Sequence, residues 1–181
     1  MGTNALLLEQ LTWHWEHQAR PPLDGLTDDE LFWEPVDGCW SIRPREASTA
    51  PVQGGSGRLV AEFAFPEPDA APVTTIAWRL GHLVVGCFGM RNAAHFGGPP
   101  MDYLTHEWPE TAKEMVAALD DGYERWVEGV RSLGEEGLWR PVGDAEPFPD
   151  APYAALVLHI NREVIHHLAE VSLLRDLYRC R

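Results

Sequence analysis

Positive charge is scarce in this sequence. The 181 residues include 14 lysines and arginines against 28 aspartates and glutamates, which gives a formal net charge of -14. Nucleic acids and anionic membranes attract basic surfaces and repel acidic ones, so we expect neither as a partner. We therefore expect a small-molecule or cationic ligand, or one whose binding does not depend on electrostatics.

Cysteines and long apolar runs are scarce too. The three cysteines, Cys39, Cys87 and Cys180, are an odd number at no zinc-ribbon spacing, which argues against a disulfide framework and against a structural cysteine site. No run of about 18 apolar residues occurs and no basic-then-apolar leader opens the chain, so we expect a cytoplasmic protein without a membrane span. The length and the 45% hydrophobic content predict one globular domain over residues 1–181.

Four segments carry the apolar periodicity of helices. The pair Pro21-Pro22 stops the first, Gly97 the second and Gly134 the third. Four helices of this length joined by longer connections predict an all-α four-helix bundle. The predicted ranges are Thr3 to Arg20, Thr74 or Thr75 to Phe96, Pro109 to Leu133, and Ala151 to Tyr178.

The segment between the first two helices has a different composition. Thr27 to Glu30 has the pattern of a capping box and predicts a short helix that Pro35 ends. From Asp37 to Val73 the chain is rich in glycine, proline, serine and alanine, and only Trp40 to Ile42 and Leu59 to Phe65 look like strands. We therefore predict a small β-hairpin or loop insertion between helices 1 and 2 of the bundle.

Three residues form the strongest candidate for a functional site. Glu163 and His167 are four residues apart, so on a helix they share one face and can point at a common atom. His82 lies in the nearly continuous apolar run of the second helix, where a casual surface histidine is unexpected. Imidazole and carboxylate ligands from facing helices suit a divalent metal, with Zn²⁺ first and Ni²⁺, Fe²⁺ or Mn²⁺ as alternatives.

The spacing by itself leaves other interpretations open. A charged pair at this spacing is usually an exposed pair worth roughly 0.2 to 0.5 kcal/mol. His159 lies one turn before Glu163 and offers an alternative pair, whereas His166 points about 100° away from His167. Glu170 is better placed to accept a hydrogen bond from His167 and orient its ring. The remaining histidines lack a partner at ligand spacing and are expected to be ordinary polar or partly buried residues: His14, His17, His95 and His106.

Short motifs of this chain resemble a known family. The stretch Arg162 to Glu170, REVIHHLAE, resembles the last-helix motif of the mycothiol-dependent maleylpyruvate isomerases, in which a glutamate and a histidine four apart bind metal. Gly81-His82-Leu83 resembles the second-helix motif of the same DinB-like superfamily, whose histidine is the first ligand. The segment Cys39 to Ser41 is similar to the tryptophan and small hydroxyl residue that precede that helix in many members.

This resemblance implies a fold, a metal and a chemistry. The fold is the DinB-like bundle with up-up-down-down helices, often dimeric, and the ligands are His82, Glu163 and His167. In the better understood members the metal activates mycothiol or bacillithiol for transfer or isomerisation, which implies a thiol-dependent S-transferase or isomerase, or a related hydrolase. The alternative is a non-catalytic, metal-binding or dimeric bundle protein linked to stress.

Two features depart from the family pattern. More than thirty residues, Arg43 to Val73, separate Trp40 from the second helix, and they can alter access to the metal. The chain also ends soon after the fourth helix, so we expect no separate substrate-binding domain of the isomerase kind. The resemblance therefore carries the metal ligands and leaves maleylpyruvate aside. Arg79 and Arg162 flank the ligand regions and are candidates for contact with an anionic substrate, although exposed salt-bridging arginines are more common.

Overall fold

A computed structural model describes all 181 residues, and helices dominate it. The helical elements are α1 (Thr3–His14), α2 (Asp28–Leu31), α3 (Ile76–Gly81), α4 (Met90–Phe96), α5 (Ala112–Gly137) and α6 (Tyr153–Arg179). A π-helical stretch, Trp15–Ala19, extends α1, and another, His82–Gly89, joins α3 to α4 without a break in the helical backbone. The result is four long helical rods, as the periodicity predicts. None of them is both long enough and apolar enough to cross a membrane.

Local signals set the ends of these rods. Thr75 caps α3, because its side-chain oxygen accepts from the Trp78 amide at 3.3 Å, and Gly97 closes α4 with a left-handed φ of 68°. In α5, Gly134 has φ 60° and ψ -168°, so the regular helix ends there and one more turn follows to Gly137. Thr27 and Glu30 form the complete capping box at the start of α2.

The segment between the first two rods contains more structure than a hairpin. Three strands, β1 (Ile42–Pro44), β2 (Val52–Gly54) and β3 (Leu59–Phe63), form an antiparallel sheet in the order β1-β3-β2. The predicted helices and the strands of the insertion are found, but the insertion forms a three-stranded sheet where the prediction gave a hairpin or loop. The flanking strands β1 and β2 have three residues each, too few for any alternation to show in the sequence. Trp40, expected in a strand, makes only a parallel bridge with Thr74.

The sheet shares the hydrophobic core of the bundle. One cluster of 34 buried residues joins side chains of all four rods to Ile42, Leu59 and Ala61 of the sheet. The first rod packs against α5 and α6, and the α3 to α4 rod packs against the same two helices. The sheet thus covers one flank of α3, immediately before His82, and is not a detached flap.

A glycine allows this close contact. A Cβ atom placed on Gly81 would lie 2.6 Å from Ile42 Cδ1 and 2.9 Å from the Trp108 ring, both too short for real contacts. The backbone of α3 therefore approaches β1 and Trp108 to a distance that only glycine permits. This contact fixes the position of the next residue, His82.

Candidate metal centre

Donor atoms of His82, Glu163 and His167 lie within 4.8 Å of one another. His82 comes from the π-helical stretch after α3, and the other two come from consecutive turns of α6. Glu163 Oε2 is 3.4 Å from His167 Nε2 and 4.0 Å from His82 Nε2. The structure therefore brings together the three residues that the sequence selected, across two facing rods.

The outer nitrogen of each imidazole has its own partner. His167 Nδ1 is 2.8 Å from Glu170 Oε2 and 3.2 Å from Arg79 Nη1. The shorter contact is to a carboxylate, which only accepts, so Nδ1 donates to it and Nε2 carries the lone pair. His82 Nδ1 is 2.8 Å from the hydroxyl of Tyr103, and when that hydroxyl accepts, His82 Nε2 carries a lone pair too. Such outer partners fix the ring orientation and tautomer that a metal ligand needs.

Arg79 completes this arrangement on the Glu170 side. Its Nη1 lies 2.7 Å from Glu170 Oε2 and balances the charge of that carboxylate. The Arg79 side chain is only 19% exposed, so it is not the exposed salt-bridging arginine expected from the sequence. Arg162, by contrast, is 69% exposed, as expected for a surface arginine.

Burial keeps both imidazoles neutral. It lowers the pKa of His82 to about 4, and the neighbouring His167 adds to the effect. Burial also lowers the pKa of His167 and outweighs the hydrogen bond that His167 donates to Glu170, which would raise it. Neutral imidazole is the form that binds a metal ion, so near neutral pH both rings are ready for one.

These shifts predict how the stability of the metal-free protein depends on pH. Histidine in the unfolded chain titrates near 6.5, whereas folded His82 titrates near 4, so the unfolded state binds more protons between these values. Stability should therefore fall as the pH drops through this window. From pH 7 to pH 5 we expect His82 to account for a loss of about 2 kcal/mol. Urea unfolding of chelator-treated protein at both pH values measures it. The His82→Asn variant should lose about 2 kcal/mol less, and an equal loss in both proteins would refute this account.

Other donors near the centre do not join the three ligand candidates. His159 Nδ1 lies 3.5 Å from the other oxygen of Glu163, but it shares no group of three donors with His82 or His167. His166, Glu170 and His167 do form a second group, yet His166 is 62% exposed and the Nδ1 atom of His167 is already bonded to Glu170. The geometry thus favours the first group.

Two residues near His82 were not found from the sequence. Tyr103 comes from the loop after α4, and a side chain at Gly86 would collide with its hydroxyl, so Gly86 makes room for it. Cys87 Sγ lies 3.6 Å from His82 Nε2, because a π-helical turn places residues five apart side by side. Burial raises the pKa of Cys87 to about 12, and its sulfur lies outside the group of mutually close donors. A neutral thiol therefore forms part of the wall of the centre.

The remaining histidines differ in burial and in their hydrogen-bond partners. His17 is exposed, and His14 is buried with its Nδ1 3.0 Å from Gln18 Oε1. The side chain of His95 is more buried than expected, at 2% exposed, and its Nε2 lies 3.0 Å from Glu146 Oε1. Glu146 is 51 residues away in the sequence, so no spacing rule could have paired it with His95.

The sequence of this chain matches one known protein family over most of its length. The family model of the DinB superfamily matches residues 10–171, which includes most of the first rod and of α6, all of the other two rods and the three clustered donors. The chain belongs to the DinB superfamily. No curated protein and no solved structure matches it. The DinB assignment agrees with the helical fold and with the sequence motifs around His82 and His167.

Proposed function

We propose that this DinB protein holds one divalent metal ion with His82, Glu163 and His167. The observation that carries the proposal is that the Nε2 atoms of two imidazoles converge on one carboxylate oxygen. Glu163 Oε1 lies 3.5 Å from Arg162 Nη2, whereas its Oε2 faces the Nε2 atoms of His167 and His82 at 3.4 and 4.0 Å. The side chains of Glu163, His167 and His82 are only 24%, 10% and 27% exposed. A cation between them would stabilise this group of partly buried polar atoms.

The donor set suits Zn²⁺ best. Two imidazole nitrogens and one carboxylate are the ligands of many catalytic zinc sites, which leave a position open for water or substrate. Ni²⁺, Fe²⁺ and Mn²⁺ take the same ligand types, so zinc is the first expectation among several. We also infer that the four rods run up-up-down-down, as in the DinB-like bundle.

We further propose that the chain is a metal-dependent enzyme that uses a small thiol such as mycothiol, as an S-transferase or isomerase. When bound, the metal would act as a Lewis acid that lowers the pKa of a thiol in its open position. Glu170 and Tyr103 hold the two imidazoles in position, and Arg79 holds Glu170. Trp78 stacks on His82 with ring centroids 5.7 Å apart and shields that side of the site from water.

A turnover assay tests this proposal. The full-length protein is mixed with mycothiol and 1-chloro-2,4-dinitrobenzene; the thiol sulfur bonds to the ring carbon, chloride leaves, and the thiol proton goes to solvent. We expect turnover that a chelator lowers about a hundredfold and that Zn²⁺ restores. The Cys180→Ser variant should match wild type, since Cys180 is the exposed cysteine and the one the reagent could modify. Turnover that the chelator leaves unchanged would refute the mechanism, and metal without turnover would favour a non-catalytic bundle.

A further inference from the structure

A cleft lies beside the proposed metal centre. It has a volume of about 380 Å³ and lies between the proline-rich loop before α6 and the first turns of that helix. His159 lines the cleft, and its Nδ1 is 3.5 Å from Glu163 Oε1. A ligand in the cleft would therefore lie next to a proposed metal ligand.

The wall of the cleft is largely apolar. Val142, Phe148 and Leu156 line it, and Ala155 forms part of its floor on α6. Phe148 is 77% exposed, so its ring is open to a ligand in the cleft. An apolar body of about the size of a bicyclic aromatic ring fits these dimensions.

The polar side chains left free in the cleft are hydrogen-bond donors. Arg162 Nη2 donates to His159 Nδ1 at 2.7 Å, so His159 is in the tautomer whose Nε2 carries a hydrogen. The same Nη2 lies 3.5 Å from Glu163 Oε1, whereas Nε and Nη1 of Arg162 have no partner. Arginine and this tautomer of histidine can only donate at these atoms, which calls for an acceptor on the ligand.

The one carboxylate of the lining is not available to a ligand. Glu146 bonds His95 through Oε1 and Arg91 through Oε2, at 3.0 and 3.2 Å, and its side chain is 8% exposed. Arg91 also donates to the Gly86 carbonyl at 2.6 Å. This buried network holds the loop against α4 and satisfies Glu146, so Glu146 does not compete with a ligand for Arg162.

We propose that this cleft binds the apolar body of a carboxylate-bearing molecule, whose carboxylate accepts hydrogen bonds from Arg162 and His159. As the substrate class of the neighbouring centre, this inference rests on the proposed function. Occupation of the cleft does not depend on the metal, so the two can be tested separately. The selectivity comes from local donors, because the acidic surface of the whole chain does not attract anions.

Calorimetric titration of the full-length protein with two matched probes tests the proposal. 1-Naphthaleneacetate carries the carboxylate, and 1-naphthaleneacetamide keeps the ring and removes the charge. We expect the acetate to bind about tenfold more tightly than the amide, because a charge-assisted bond to arginine is worth about one factor of ten. The titrations are repeated after chelator treatment and should give the same preference.

Two pairs of variants decide the assignment. Arg162→Gln should bring the two probes to within about twofold of each other, whereas Arg125→Gln, which removes an exposed arginine on α5, should keep the tenfold preference. Ala155→Trp fills the cleft from an exposed position of α6 and should abolish binding of both probes. Ala5→Trp, on an exposed position of α1, is its control and should bind like wild type.

The outcomes separate the cleft from the metal centre. Equal affinities in wild type, an acetate preference that survives Arg162→Gln, or unchanged binding in Ala155→Trp would each overturn the inference. If the acetate preference is found in a protein that binds no metal, the cleft stands and the proposed function fails. If metal binds and both probes behave alike, the reverse holds.

Discussion

His82→Ala and His167→Ala are each expected to abolish binding of the proposed metal ion. Loss of one imidazole leaves two ligands, and we expect affinity to fall by roughly a hundredfold or more, at least as much as loss of an outer partner costs. Glu170→Gln removes the charged acceptor of His167 and should weaken metal binding about 10- to 100-fold while all three ligands remain. Metal content after gel filtration, and competition with a chromogenic chelator, measure both effects.

The two neighbouring histidines of α6 provide matched controls. His159→Ala and His166→Ala remove imidazoles from the same helix, and both should keep the wild-type metal content because neither ring joins the central group. Circular dichroism confirms that each variant is helical. If His166→Ala loses the metal and His82→Ala keeps it, the second donor group around Glu170 is the site and our assignment is wrong.

Arg175→Met should cause the largest loss of stability. Arg175 is 2% exposed and forms a two-pronged ion pair with the buried Glu30, with both nitrogen–oxygen distances at 3.1 Å. It also donates to the carbonyls of Pro22 and Asp24, and so ties α6 to the segment before α2. Burial acts to raise the pKa of Glu30, but the bonds from Arg175 and Thr27 outweigh it and leave that pKa lowered. Without Arg175 a carboxylate stays buried and unpaired, which costs about 3 to 5 kcal/mol.

A neighbouring arginine supplies the control. Arg179 lies 3.8 Å from Glu30 and is 56% exposed, so Arg179→Met should cost less than about 1 kcal/mol. The double variant Glu30→Gln with Arg175→Met removes the charge while Gln preserves the capping box, and should recover about 1 to 3 kcal/mol. Urea unfolding at pH 7 gives all these values. Equal losses for the Arg175 and Arg179 variants would contradict the account of a buried ion pair.

The bounds of the helices could be predicted because their causes are local. Thr27, Thr75, Gly97 and Gly134 act on backbone groups within a few residues, and the structure uses each of them as the sequence indicates. The strand β2 could not be predicted in this way. Val52 to Gly54 is held by pairing with β3 and has no pattern of its own.

Within the candidate centre, too, only the residues placed by local structure could be predicted. Glu163 and His167 are neighbours because an α-helix brings residues four apart to one face, and an apolar setting distinguished His82. Tyr103 and Cys87 were missed, since one arrives on a loop and the other depends on a π-helical turn that no sequence rule foretells. Resemblance to the DinB-like superfamily chose among the histidines, and packing of α3 against α6 brings the chosen ones together.

By itself, the sequence determined the four helical rods, their ends, the pair on α6 and the superfamily. Each of these depends on residues that are neighbours along one helix or on motifs readable in order. Only the tertiary structure decided that His82 faces that pair, that Glu146 pairs with His95, that Arg175 pairs with Glu30, and that the insertion folds into a sheet on the common core. Those contacts join residues far apart in the chain, and their energies come from burial, which exists only once the rods have packed.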